Sequence, residues 1–87
     1  MNIEENLKYL SGWAYNPQTK SIQKEFLFKS YLKTIGFVNA VAWIANKENH
    51  HPDLEVSFNK CVVKLTTHDA GGLSEKDFTV AQAIESL

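Results

Sequence analysis

The stretch that decides the fold runs Leu54-Glu55-Val56-Ser57-Phe58-Asn59-Lys60-Cys61-Val62-Val63-Lys64-Leu65. Leu54, Val56 and Phe58 alternate with polar neighbours, and Cys61, Val63 and Leu65 recur at the same spacing after Asn59-Lys60. Successive strand side chains point to opposite faces, so this pattern predicts an antiparallel hairpin with one buried face, joined across Asn59-Lys60. A second hairpin is predicted upstream. There Trp13 to Tyr15 leads through the turn former Asn16-Pro17 to Ser21–Phe28, in which Ile22, Phe26 and Phe28 share a face.

Helical spacing fills the intervals. Ser30 is an N-cap candidate for a long helix carrying Tyr31, Ile35, Val38, Val41, Ala42 and Ala45 at steps of three and four, with Gly36, Ala40 and Ala42 small enough to admit a neighbour. Pro52 disfavours helical backbone in the residue before it, so that helix ends by about His50. A short first helix holds Ile3, Leu7 and Leu10 between an Asn2 cap and Gly12, and a last one opens at Ser74 and turns Phe78, Ala81, Ile84 and Leu87 inward. The order α-β-β-α-β-β-α predicts an α+β domain, an antiparallel sheet with its helices packed on one face. The other face is expected to be solvated or used for assembly, with Trp13 and Tyr15 as the aromatic candidates.

At 87 residues the chain is expected to be one domain, residues 1–87. A chain this short buries only roughly 60–65% of its unfolded surface, so association of subunits would add useful burial. With 44% hydrophobic and 22% charged residues it has the balance of a soluble globular protein. The net charge of −1 and the absence of Arg argue against a nucleic-acid partner, because guanidinium forks and excess positive charge are what bind phosphate and guanine. Cys61 is the only cysteine and sits among β-branched residues, which points to a buried thiol in a reducing compartment. An acidic, amphipathic amino terminus and the lack of any membrane-length apolar run give a cytoplasmic expectation with no membrane partner.

The chain has three histidines, two in Asn49-His50-His51-Pro52 and one in Thr67-His68-Asp69. If the strands after Pro52 pair as a hairpin, the chain goes up one and back down the other, so His68 returns to the end where His50 and His51 lie. Histidine both gives and takes a proton near neutral pH, the requirement of a dehydration. His50, near a helix carboxyl end, is favoured in its protonated form and is a candidate general acid. As cleft groups, the histidines are expected to contribute little to stability. Three imidazoles can also hold zinc, but adjacent residues on extended backbone face opposite ways and no pair has helical four-residue spacing, so no metal is expected. Ser74-x-x-Asp77 before an apolar run is a capping box whether or not Asp77 has another role. Cys61 is too embedded for a nucleophile, and Gly71-Gly72 lacks the lysine and spacing of a phosphate loop.

Taken together, Asn49-His50-His51-Pro52, Asn59-Lys60, Thr67-His68 and Gly72-Leu73-Ser74 with Asp77 resemble the pterin-4a-carbinolamine dehydratase family. The likeness extends to Gly12-Trp13, Lys24-x-Phe26-x-Phe28-Lys29, Phe37-x-x-x-Val41-Ala42 and Ala83-Ile84-Glu85, and so covers nearly the whole chain. The resemblance implies a four-stranded antiparallel sheet with three helices on one side and assembly as tetramers, within the general expectation of a homo-oligomer, dimer or tetramer. It implies loss of water from 4a-hydroxytetrahydropterin to give quinonoid dihydropterin, in tetrahydrobiopterin recycling for aromatic amino acid hydroxylases, with no metal or added cofactor. The family's histidine positions fall on His50, His51 and His68, and an acidic position falls on Asp77. Two residues depart from its pattern: Asn46 stands where a carboxylate is usual, and Leu54 where an aromatic is frequent. Those departures leave room for weaker orientation of a histidine, weaker stacking on the pterin and reduced activity. They also leave two alternatives, a protein-interaction module like the family's transcriptional coactivators and a pterin-binding relative in molybdenum cofactor metabolism.

Overall fold

In the computed structural model, which describes residues 1–87, the alternating stretch forms the hairpin of β3 (Asp53–Ser57) and β4 (Lys60–Leu65). Leu54 faces Val63 and Val56 faces Cys61. The turn falls one residue earlier than expected, at Phe58-Asn59, with Ser57 opposite Lys60. Neighbouring elements hold it there: the Phe58 carbonyl lies 3.0 Å from Thr34 Oγ1, and the Asn59 carbonyl accepts the Phe28 N–H at 2.8 Å. Phe58 therefore leaves the strand and is exposed.

The first hairpin is β1 (Ala14–Asn16) and β2 (Ser21–Leu27), and the antiparallel sheet runs β1-β2-β4-β3. Ile22 opposite Leu65 and Phe26 opposite Cys61 put the apolar sides of the two central strands on one face. Three α-helices complete the α+β fold: α1 (Ile3–Leu7), α2 (Tyr31–Glu48) and α3 (Glu75–Glu85). The Asn2 side chain accepts the Glu5 N–H at 3.0 Å and Ser30 Oγ accepts the Lys33 N–H at 3.1 Å, as N-caps do. No helix is long and apolar enough to cross a membrane.

Ile22, Cys61, Val63 and Leu65 of the sheet pack with Val41 of α2 and with Phe78, Val80, Ala81 and Ile84 of α3, and Leu10 and Trp13 close the core at one side. The buried stripe of α2 is narrower than its sequence spacing predicts: Thr34, Val41 and Ala45 are buried, whereas Tyr31 and Ala42 are exposed. Thr34 is tolerated inside because its hydroxyl also lies 2.9 Å from the Ser30 carbonyl. Leu87, expected to point inward, is 61% exposed because it lies beyond the end of α3.

Trp13 and Tyr15 do not serve the open face of the sheet. Trp13 is 6% exposed, meets Phe26 edge-on at 6.1 Å, and its indole N–H donates to Glu85 Oε1 at 3.1 Å. Tyr15 pairs with Ile22 and packs against the same core. The open face instead carries the ion pairs Lys64–Glu55 and Lys60–Glu25, the latter at 3.8 Å. Behind Trp13, Gly12 has φ +86, and a Cβ there would stand 2.9 Å from Lys24 Cε. That close approach lets Lys24 Nζ reach the Ser11 carbonyl at 2.8 Å and pair with Glu85, tying the first loop to α3.

Burial pushes the Cys61 thiol above its ordinary range. A raised folded value means that the neutral thiol's contribution to stability is complete below the unfolded thiol's pKa, about 8.5, and is lost as pH rises toward the folded one. The urea midpoint of the wild type is therefore expected to fall more than that of Cys61→Ala between about pH 8 and pH 10. Equal slopes in the two proteins would show that this thiol is not protected.

Candidate active site

Asn49 ends α2 in left-handed backbone (φ 52, ψ 41), and the His50 N–H then returns to the Ala45 carbonyl at 3.1 Å. This reversal sends the His50 side chain inward, where it is 12% exposed, while His51 stays at the surface. At the exit of β4, Thr67 is held by reciprocal backbone bonds to Gly72, Thr67 N–H to Gly72 O at 2.9 Å and Gly72 N–H to Thr67 O at 3.2 Å. Between them the short 3₁₀ turn His68–Ala70 closes at Gly71, whose φ of +70 suits glycine. Ser74 then opens α3 at capping-box spacing from Asp77, whose carboxylate accepts the Ser74 N–H.

Asp77 is fully buried, and its carboxylate joins three segments of the chain. Oδ1 lies 2.6 Å from His50 Nε2, while Oδ2 accepts the Thr67 hydroxyl at 2.8 Å and the Ser74 N–H at 3.0 Å. The Ser74 and Thr67 hydroxyls are themselves 2.7 Å apart. A buried carboxylate is costly unless its oxygens are paired, and here donors reach both.

In front of this carboxylate opens a cleft of about 340 Å³, lined by His50, His51, His68 and Thr67 with Asn49 and Lys76, and by no hydrophobic side chain. The hairpin return thus brings all three histidines to one cavity. They are not equivalent, however, since His51 and His68 are exposed and His50 is backed by Asp77. Asp77 stands behind the cleft, doing the capping read from the sequence and holding His50 as well. Asn46 lies elsewhere, on the exposed side of α2 beside Ala42 and Trp43, and Leu54 packs against the core. Neither lines the histidine cleft. No group of three His, Cys, Asp or Glu side chains has an arrangement that could hold a metal ion. Sequence reasoning missed Thr67. Its signal was only the hydroxyl before His68, and nothing local shows that it reaches a residue ten positions on.

A sequence model of the family described as Pterin 4 alpha carbinolamine dehydratase matches residues 1–87. A relative from Nitrosospira multiformis, provisionally named a pterin-4-alpha-carbinolamine dehydratase, is 53% identical over 85 residues, 98% of this chain and 74% of its own. The chain belongs to the pterin carbinolamine dehydratase family. A relative from Bdellovibrio bacteriovorus with the same provisional name is 48% identical, over 98% of this chain and 72% of its own. Among solved structures, the transcriptional coactivator/pterin dehydratase of Brucella melitensis superposes with a TM-score of 0.92 at 31% identity, covering 97% of this chain and 89% of that one. A pterin dehydratase-like protein identified as a RuBisCO assembly factor shares the fold, with a TM-score of 0.74 at 20% identity over 86% of this chain and 87% of that one.

In this dehydratase-family chain, Asp77→Ala removes half of the capping box and the partner of His50 together. A cap is worth about 1 kcal/mol and a buried charge-assisted hydrogen bond about 1.5–3 kcal/mol, so denaturant unfolding is expected to show a loss of about 2–4 kcal/mol. Ser74→Ala, which removes the hydroxyl alone, is expected to cost about 1 kcal/mol. Equal small losses in both variants would show that the carboxylate contributes nothing beyond the cap.

Proposed function

We propose that this cleft dehydrates 4a-hydroxytetrahydropterin to quinonoid dihydropterin by histidine general acid/base catalysis, within tetrahydrobiopterin recycling beside an aromatic amino acid hydroxylase. The observation that carries the proposal is a histidine–carboxylate pair, His50 and buried Asp77, opening into a polar cleft with two further histidines. Family membership supplies the substrate class.

The reaction removes hydroxide from C4a and a proton from a ring nitrogen. An imidazolium gives its proton to the leaving hydroxyl, which departs as water, while a neutral imidazole takes the ring proton, so the protein's net protonation is unchanged. No electron is transferred to or from the substrate, and an acid and a base are sufficient. We assign these roles to His50, His51 and His68, which line the cleft, with the Asp77 carboxylate holding the His50 ring in place. The family likeness and the exposed apolar side chains of α2 support a homo-oligomer, a dimer or tetramer.

The structure changes what is expected of one substitution. His50→Ala leaves Asp77 Oδ1 buried without its partner, which costs about 1–3 kcal/mol, so this histidine is not stability-neutral. His50→Gln is the cleaner variant, because its terminal amide occupies the place of Nε2 and still donates to Asp77 while losing the titrating ring. His50→Gln and His68→Ala are each expected to slow dehydration of chemically generated carbinolamine by about 100 to 10,000-fold, with melting temperatures near that of the wild type. Full activity in both would remove the histidines from the mechanism.

A second reading, a protein-interaction module with weak or no dehydratase activity, draws support from Leu32 and Trp43, 82% and 76% exposed on one side of α2, and from the coactivator description of the Brucella relative. A wild-type protein that dehydrated the carbinolamine no faster than buffer would favour it. In either case light scattering at micromolar concentration is expected to give a multiple of the 9.9 kDa chain mass. A monomer mass would exclude the assembly.

A further inference from the structure

We infer that Thr67 is a positioning residue whose hydroxyl fixes the Asp77 carboxylate, locks His50 with its proton on Nε2, and so presents Nδ1 as the atom that exchanges a proton with the substrate. The last clause rests on the dehydratase reading, whereas the hydrogen-bond chain does not.

The direction of each bond follows from counting hydrogens. A carboxylate only accepts, so the hydrogen in the 2.6 Å contact between His50 Nε2 and Asp77 Oδ1 belongs to the ring nitrogen. Thr67 has a single hydroxyl hydrogen, and the 2.8 Å contact with Oδ2 uses it. The 2.7 Å contact between the Thr67 and Ser74 hydroxyls must then be carried by the Ser74 hydrogen. The Asp77 N–H meanwhile donates to the Ser74 carbonyl at 3.1 Å, and the Ser74 N–H to Asp77 Oδ2 at 3.0 Å, so neither competes for a hydroxyl hydrogen. The chain therefore runs one way, from Ser74 to Thr67 to Asp77. Reversing it would set the Thr67 oxygen against a carboxylate oxygen with no hydrogen between them.

Thr67 Oγ1 is also 3.5 Å from His50 Nε2, too long for a useful hydrogen bond, so it acts on the ring through Asp77. Its own placement is well determined. The paired backbone bonds to Gly72 fix its main chain, and β-branching restricts its side-chain rotation. With Nε2 committed to Asp77, the unprotonated nitrogen of neutral His50 is Nδ1. No buried side-chain nitrogen or oxygen lacks a partner, and Nδ1 has none, so it is open to the cleft that His50 lines.

Long-range proton–nitrogen spectra of histidine-labelled protein above the titration range of imidazole test the chain directly. The wild type is expected to show His50 with its proton on Nε2, that proton shifted downfield and slow to exchange. Thr67→Val keeps the shape and removes the hydroxyl. It is expected to lose the slow-exchanging signal and to lower kcat about 10 to 100-fold with KM little changed, while Thr67→Ser recovers most of both. A wild-type His50 protonated on Nδ1, which is read without any variant and so does not depend on Thr67→Val folding, would overturn the inference. So would a Thr67→Val protein that kept both the signal and the rate. The expected spectra together with a wild type inert toward the carbinolamine would sink the dehydratase reading and leave the hydrogen-bond chain standing.

Discussion

A carboxylate with no exposure to solvent is tolerated only if donors meet both of its oxygens, and the histidine-bearing end of this protein is built around that constraint at Asp77. The donors come from three places: Ser74 at the start of α3, Thr67 at the exit of β4, and His50 just past the end of α2. The carboxylate ties these three segments together at one point. The same group that begins a helix thereby fixes the orientation of an imidazole. Stability and site geometry cannot be varied independently here.

The rest of the fold supplies a rigid frame for that junction. Ile22, Cys61, Val63 and Leu65 form an inner sheet surface on which α3 lays Phe78, Ala81 and Ile84, so Asp77 is carried in on a helix already fixed by packing. The far end of α3 is held through Glu85, which receives the Trp13 indole N–H and pairs with Lys24. Gly12 sits under that clasp: its φ of +86 strains any L side chain, and a Cβ there would push the end of Lys24 out of its present place. A glycine remote from the histidines thus takes part in holding the helix that orients one of them.

Much of this was legible in the sequence, for identifiable reasons. Period-two alternation marks which residues share a strand face, and the return of a hairpin is enough to bring His68 back to His50 and His51. The Ser74-x-x-Asp77 spacing states a cap. What alternation does not state is where a turn is captured by other elements, and the Phe58-Asn59 turn is set by Thr34 and Phe28. Nor does it state which way an aromatic at a strand start will face, so Trp13 and Tyr15 read as open-face residues although Glu85, Phe26 and Ile22 draw them inside. Thr67 was invisible for the same reason: its meaning lies in a hydroxyl that reaches Asp77, and a β-branched residue at a strand end has an ordinary explanation. Asn46 and Leu54, singled out as departures from the family's pattern, are not among the residues that line the histidine cleft.

Burial finally separates three residues that composition treats alike. His51 and His68 are exposed to water, whereas His50 is nearly enclosed and meets a fixed carboxylate on one side and the cleft on the other. From the sequence, the helix terminus alone argued for His50 as an acid. The carboxylate is the nearer and stronger influence, because a full charge at hydrogen-bond distance outweighs the partial charge of a helix end. It fixes which nitrogen is open. On the proposed reading, His50 is then suited to take the ring proton through Nδ1, and release of the hydroxyl falls to a histidine that water can recharge.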